Sequence, residues 1–117
     1  MIHMKLFHNP RCSKSRQALQ LLRDHDVEPE LVLYLQDPPD VAALDALCNA
    51  LNVEPAALFR FKEARARELG LSKGDTRTRS EWLQLLADNP ILLERPIAIQ
   101  GKRAAIGRPP ENVLELI

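Results

Sequence analysis

The chain is poor in most of what usually marks a function class. It has two cysteines and three histidines in 117 residues, and Cys12 and Cys48 have no metal-ligand spacing. No zinc pattern is present, and in a reducing cytosol both thiols are expected to be free rather than paired in a structural disulfide. Aromatic residues are only 4% of the chain. The basic stretch Arg65, Arg67, Lys73, Arg77 and Arg79 has only Trp82 nearby; it lacks the interleaved rings on which bases stack and reads as a solvated face. Sixteen basic side chains balance sixteen acidic ones, so no net field attracts nucleic acid. No apolar run approaches the roughly 20 residues that cross a bilayer. The start of the chain lacks the charged, apolar, small-residue order of a signal peptide. The expectation is a soluble, cytoplasmic protein that uses neither nucleic acid nor membrane. Repeats, low-complexity tracts and linkers are also missing. With 45% hydrophobic residues, residues 1–117 are expected to form a single domain with one core.

What is present is a readable order of elements. Residues 4–7 suit a short first strand that ends at Asn9-Pro10. Residues 13–25 carry Ala18, Leu19, Leu21 and Leu22 as an apolar helical stripe, closed by Glu28-Pro29. The continuous apolar run over 31–35 suits a buried strand. Asp37-Pro38-Pro39-Asp40 is a turn, with Asp40 a good N-cap for a helix bearing Val41, Leu44, Leu47, Cys48 and Leu51. Residues 55–88 have helical rather than strand character. Pro55 starts one short helix, and Thr78-Arg79-Ser80-Glu81 resembles a capping box for another. Two short strands flank Gln100-Gly101-Lys102, a hairpin turn, and Pro109-Pro110 begin a last helix with Val113, Leu114 and Ile117. The strand-helix-strand start makes a right-handed crossover. The expected fold is α/β and thioredoxin-like: a four-stranded mixed sheet flanked by helices. A helical insertion at about 55–88 lies between the second and third helix-strand units.

Chemistry concentrates at Cys12. It falls at the turn from the first strand into the first helix, where backbone N–H groups are unpaired and carry partial positive charge. A thiolate is stabilised there, and its pKa can fall from about 8.5 to roughly 3.5–7.5. His8, Arg11, Lys14 and Arg16 add expected positive charge nearby. The pattern reads as an activated nucleophile beside an anion site. Cys48, on an apolar helix stripe, reads as a small buried hydrophobe. His3 and His25 read as solvated.

The motifs resemble those of the thioredoxin-fold arsenate reductases, the bacterial type that uses glutathione and glutaredoxin. They are His8-Asn9-Pro10-x-Cys12-x-x-Ser15-Arg16, Leu33-Tyr34-Leu35 with the Asp37-Pro38-Pro39 turn, Arg60, Asn89-Pro90-Ile91-Leu92, Arg95-Pro96-Ile97 and Gly107-Arg108-Pro109. Their joint order spans nearly the whole chain. The Arg-Cys-Ser-Lys-Ser form at Cys12 looks like a subgroup of that family, since other members carry small or Gly/Thr residues at 11, 13 and 14.

The resemblance implies a site. Cys12 takes the place of the nucleophile, Arg60, Arg95 and Arg108 those of the oxyanion-binding arginines, and His8 and Ser15 those of residues that support the thiolate. Ser15 is implied to hydrogen-bond the sulfur, and Pro96 to follow a cis bond opposite Cys12. The implied reaction converts arsenate to arsenite through a Cys12 thioarsenate. Glutathione is the co-substrate that reduces it, and glutaredoxin resolves the mixed disulfide. No bound cofactor or metal is implied, and a monomer is expected. Ser15 leaves Cys12 without a local resolving thiol, so an external one is needed. Two other readings stay open: a thiol-redox enzyme acting on another oxyanion or a glutathionylated protein, and an Spx-type regulator that binds RNA polymerase. Regulators of that type often carry a second cysteine where this chain has Ser15.

Overall fold

A computed structural model describes residues 3–117; the first two residues of the expected 1–117 domain lie outside the described residues. Strand β1 (Lys5–Phe7) leads to helix α1 (Ser13–Asp24) and strand β2 (Glu30–Val32). Helix α2 (Val41–Leu51), a 3₁₀ turn (Pro55–Leu58), α3 (Ala64–Glu68), α4 (Arg79–Asp88) and a second 3₁₀ turn (Pro90–Leu92) follow. The hairpin β3 (Ile97–Gln100) and β4 (Arg103–Ile106) and a 3₁₀ segment (Pro110–Leu116) complete the chain. The strands form one mixed sheet in the order β2-β1-β3-β4. Leu6 pairs with Leu31 in the parallel β1–β2 ladder and with Ala98 in the antiparallel β1–β3 ladder. The expected thioredoxin-like α/β fold is thus present. The chain divides into two compact units, one made of residues up to Asp37 with Arg95–Ile117, the other of Pro38–Glu94. The expected insertion at about 55–88 lies within the second unit, together with α2.

In the first unit the helical spacing of α1 puts Ala18, Leu19 and Leu22 on its buried face. They join Met4, Leu6, Val27, Ala98, Ala105 and Val113 in one apolar cluster. Leu6 and Leu22 are fully buried, each worth about 1.5–3 kcal/mol. Helix α1 ends where Asp26 turns to φ 63° and the Val27 N–H bonds the Leu22 carbonyl at 2.9 Å. In the hairpin Gly101 takes φ 60° at the first turn position, while Lys102 stays at negative φ. Only glycine accepts that left-handed position at no steric cost.

Two expectations change in detail. Of the apolar run 31–35 only Leu31 and Val32 lie in a strand; the chain then folds into a turn, with Gln36 and Asp37 N–H groups on the Leu33 carbonyl. Strand β2 is a sheet edge, which exposes Leu31 and Leu35 while Tyr34 is buried. A sheet edge needs no continuous apolar strand. The last segment is 3₁₀ rather than α, a geometry common in short pieces; Val113 and Leu116 still bury against α1 and β4.

The second unit is built by α2 packing on α4. Asp40 caps α2, its carboxylate accepting the Ala43 N–H at 2.8 Å. The Thr78–Glu81 capping box forms as expected. Leu44, Leu47 and Cys48 are the buried face of α2. Phe59, Phe61 and Trp82 pack ring against ring, and Arg77 lies over the Trp82 face. Arg65, Arg77 and Arg79 each face a carboxylate, from Glu68, Asp75 and Asp45.

Candidate functional site

Cys12 is the N-cap of α1, with extended backbone at φ −94° and ψ 123°. The loop before it is held by its own polar groups. Asn9 Oδ1 accepts the Arg11 N–H at 3.0 Å, and the Asn9 carbonyl accepts the Cys12 N–H at 2.9 Å. Arg16 reaches back from α1 to donate to the Pro10 carbonyl at 2.9 Å. Beneath the loop, the buried Ser15 hydroxyl accepts the Asn9 N–H at 3.0 Å and shares a 2.7 Å hydrogen bond with His8 Nδ1. The His8 N–H bonds the Val32 carbonyl. The turn that carries Cys12 is therefore stitched to β1, β2 and α1 at once.

Cys12 is half-buried. Desolvation pushes the thiol up, but the Ser15 N–H, the Arg95 charge, the Lys14 N–H and the Arg108 charge outweigh it, and the net pKa lies below the ordinary thiol value. No N–H of α1 makes a hydrogen bond of ordinary geometry to this sulfur; the first-turn amides act as dipoles aimed at it. Arg108 Nη2 lies 3.9 Å from Sγ, and its Nε donates to the Arg95 carbonyl at 2.8 Å. Arg95 precedes Pro96 through a cis bond, as expected; a second cis bond joins Arg108 to Pro109. Two guanidinium nitrogens of Arg95, Nε and Nη1, are buried without a hydrogen-bond partner among the described residues.

Several expectations are refined here. The charges acting on Cys12 come from Arg95 and Arg108, distant in sequence, not from Arg11, Lys14 or Arg16. His8 is held below the ordinary histidine value by burial, then by Arg23 and Arg16, which disfavours its charged form. The Ser15 hydroxyl is engaged by His8 and Asn9, and Ser15 acts on the sulfur through its backbone N–H. The structure thus gathers Cys12, His8, Ser15, Arg95 and Arg108 in the first unit. Arg60 belongs to the second unit, where its guanidinium pairs with Glu63 and its N–H bonds the Leu92 carbonyl at 2.7 Å. Cys48 is buried, and its thiol is pushed up to about 11.

Sequence reasoning gave no role to Asn9, to the backbone-binding side of Arg16, or to Asn112, which donates to the Ile106 and Arg108 carbonyls. Asn9 carried a usable signal: Asn before Pro at the end of a strand favours a side-chain-closed turn. Asn112 carried none, because its partners are backbone carbonyls. Among the described residues no cluster of His, Cys, Asp or Glu could hold a metal ion, and no helix is long and apolar enough to cross a membrane.

Known proteins resemble this chain in sequence and fold. The chain is 47% identical over 115 residues to the uncharacterized protein YfgD of Escherichia coli, covering 97% of this chain and 96% of that protein. It is 44% identical over 114 residues to an arsenate reductase of Neisseria meningitidis, covering 97% of each. A solved structure described as arsenate reductase from Vibrio cholerae superposes with a TM-score of 0.93 at 38% identity, covering 99% of this chain and 98% of that one. The sequence pattern of the ArsC family matches residues 7–116, which take in Cys12, Arg95 and Arg108 with the turns that hold them. The chain belongs to the ArsC family.

Proposed function

We propose that the protein reduces arsenate to arsenite, with Cys12 as nucleophile and glutathione and glutaredoxin as electron donors. The observation that carries the reading is the convergence of two guanidiniums on an ionisable sulfur, with Arg95 Nε and Nη1 buried and unpartnered beside it. Arsenate is a tetrahedral oxyanion, largely dianionic near neutral pH. A thiolate attacking it meets like-charge repulsion. Two arginines offset that repulsion, and the planar fork of each grips two oxygens. Arg60 is read as a third, on the family resemblance; it must leave Glu63 to bind an oxyanion.

Cys12 Sγ attacks arsenic, and one arsenate oxygen takes up protons from solvent and leaves as water. The new S–As bond leaves arsenic pentavalent. A glutathione thiol then gives up its proton and forms a disulfide with the Cys12 sulfur, while the S–As electron pair stays on arsenic. Arsenic becomes trivalent and leaves as arsenite. A glutaredoxin thiol takes the glutathionyl group and returns Cys12 to the thiolate. Ser15 favours the thiolate through its backbone N–H, and His8 holds the Ser15 hydroxyl. The relatives bearing the arsenate reductase name support this reading, and so does Ser15, which gives Cys12 no neighbouring thiol to pair with.

The test is arsenite formation from arsenate with the purified chain, glutathione and glutaredoxin. Turnover that stops when either thiol donor is omitted is expected. Arsenate left intact in the complete mixture refutes the reading.

A further inference from the structure

Gly107 is a glycine for a reason its backbone does not supply, since it does not sit in the left-handed region. A Cβ placed there lies 2.6 Å from Pro96 Cγ, 3.4 Å from Pro96 Cδ and 3.3 Å from Val113 Cγ1. The first distance is shorter than real carbon contacts allow, so something must move. Val113 is fully buried and Pro96 is buried, and a proline ring cannot swing away like a flexible chain. Two hydrogen bonds cross the same place: the Gly107 N–H to the Pro96 carbonyl at 2.8 Å, and Arg108 Nε to the Arg95 carbonyl at 2.8 Å. Gly107 precedes Arg108 in the chain, and Pro96 follows Arg95. The bare Cα of Gly107 is thus the point where the two arginine-bearing backbones touch.

We infer that Gly107 is a positioning residue: its missing side chain lets the Pro96 ring seat against it, and that contact holds Arg95 and Arg108 together at Cys12. A methyl group at 107 must push the two backbones apart. Ile97 pairs with Ile106 in the sheet, so the strands themselves cannot slide to absorb the change. The displacement falls beyond the ladder, on Pro96 and Gly107 and on the arginines joined to them. The inference rests on the reading of these arginines as the anion site, but its effect on the Cys12 thiol can be read without arsenate.

The experiment compares wild type, Gly107→Ala, Pro96→Ala and the double variant. It reads the pH dependence of Cys12 alkylation by iodoacetamide and the arsenate KM and kcat with glutathione and glutaredoxin. In Gly107→Ala the alkylation midpoint should rise by about one pH unit, the scale on which a nearby opposite charge acts. Arsenate KM should rise roughly ten-fold, more than kcat falls, since small misplacements of binding groups are costly. In the Pro96→Ala background the ring carbons are gone, so adding Gly107→Ala should change little more; such non-additivity is the mark of a direct contact. Equal effects of Gly107→Ala in both backgrounds overturn the proposal. If Gly107→Ala alone fails to fold, Pro96→Ala against the double variant carries the test: matching midpoints support the contact, and a further rise overturns it. If the wild type does not reduce arsenate while the midpoint behaves as described, the arsenate reading falls and the positioning stands. If the wild type reduces arsenate while Gly107→Ala moves neither midpoint nor KM, the positioning falls and the reading stands.

Discussion

Cys12 and Cys48 are the same side chain placed in two kinds of helical surroundings, and they end on opposite sides of the ordinary thiol pKa. Cys12 caps the start of α1, where first-turn N–H groups have no carbonyl to bind. Cys48 lies in the last turns of α2, where those groups are used and the neighbours Leu44 and Leu47 are apolar. Burial pushes both thiols up. At Cys12 the Ser15 and Lys14 amides with Arg95 and Arg108 overcome it. At Cys48 burial dominates: the nearby Arg79 opposes it, but that guanidinium is bonded to Asp45 at 2.8 Å, and Asp45 and Glu54 push the thiol further up. A cationic neighbour therefore does not by itself lower a thiol pKa; at Cys12 the cations act together with the amides of a helix start.

The largest effect separates the two thiols as catalysts. Cys12→Ser should lower arsenate reduction by at least about a thousand-fold, the scale seen when a nucleophile is removed. Cys48→Ala should keep most of the rate and lose about 1 kcal/mol of stability from a small core void. Turnover and chemical denaturation of both variants check this. A substantial residual rate in Cys12→Ser refutes the covalent step, and a dead but folded Cys48→Ala erases the contrast.

The contrast also has a pH signature. The folded pKa of Cys48, about 11, lies above its ordinary 9.0. Its contribution to stability is therefore fully present below pH 9.0 and is lost as pH rises through about 11. Cys12 has the opposite sign: its lowered folded pKa contributes stability above the ordinary value, lost as pH falls through the folded one. Between pH 9 and 11 wild type should lose on the order of 1–3 kcal/mol relative to Cys48→Ala. Urea melts across that range measure the difference, and parallel loss in the two proteins refutes a raised Cys48.

The sequence made one side of this comparison easier to read than the other. Cys48 was legible as core because its neighbours recur at helical spacing. Cys12 was legible as a helix-start thiol because Asn9-Pro10 marks the turn before an amphipathic run. Its charged surroundings were less so. Arg11, Lys14 and Arg16 are near in sequence, yet the acting charges are Arg95 and Arg108, brought in by the β3–β4 hairpin. Only the family resemblance pointed to those two. The length of β2 and the 3₁₀ form of the last segment escaped, because an apolar run does not say whether a strand lies at an edge. The buried state of His8 escaped as well, since a histidine after a strand looks the same whether solvated or covered.

A smaller effect sharpens the account of Cys12. Ser15→Ala removes the hydroxyl and keeps the backbone N–H. The buried His8 Nδ1 and the Asn9 N–H lose their partner, at about 1–3 kcal/mol of stability. The Cys12 alkylation midpoint should move by less than about half a pH unit, because the amide stays. A rise of about one unit or more shows that the hydroxyl itself acts on the sulfur.

The smallest effect concerns Arg60, which the resemblance groups with Arg95 and Arg108 but whose guanidinium faces Glu63. Arg95 keeps two buried nitrogens without partners, whereas Arg60 must give up a carboxylate before it can take an oxyanion. Such partly exposed pairs are worth about 0–1 kcal/mol. Glu63→Gln keeps the shape and removes the competing charge, so it should lower arsenate KM by about two- to five-fold if Arg60 binds the anion. Arg60→Ala should raise KM, and in that background Glu63→Gln should have no further effect, since its influence runs through the guanidinium. A Glu63→Gln effect that persists without Arg60 shows that Glu63 acts on the anion directly by repulsion. Steady-state kinetics of the four proteins at fixed glutathione and glutaredoxin decide between them. If neither single variant changes KM, the oxyanion is held by Arg95 and Arg108 with the helix start, and the second unit contributes no charge to the reaction.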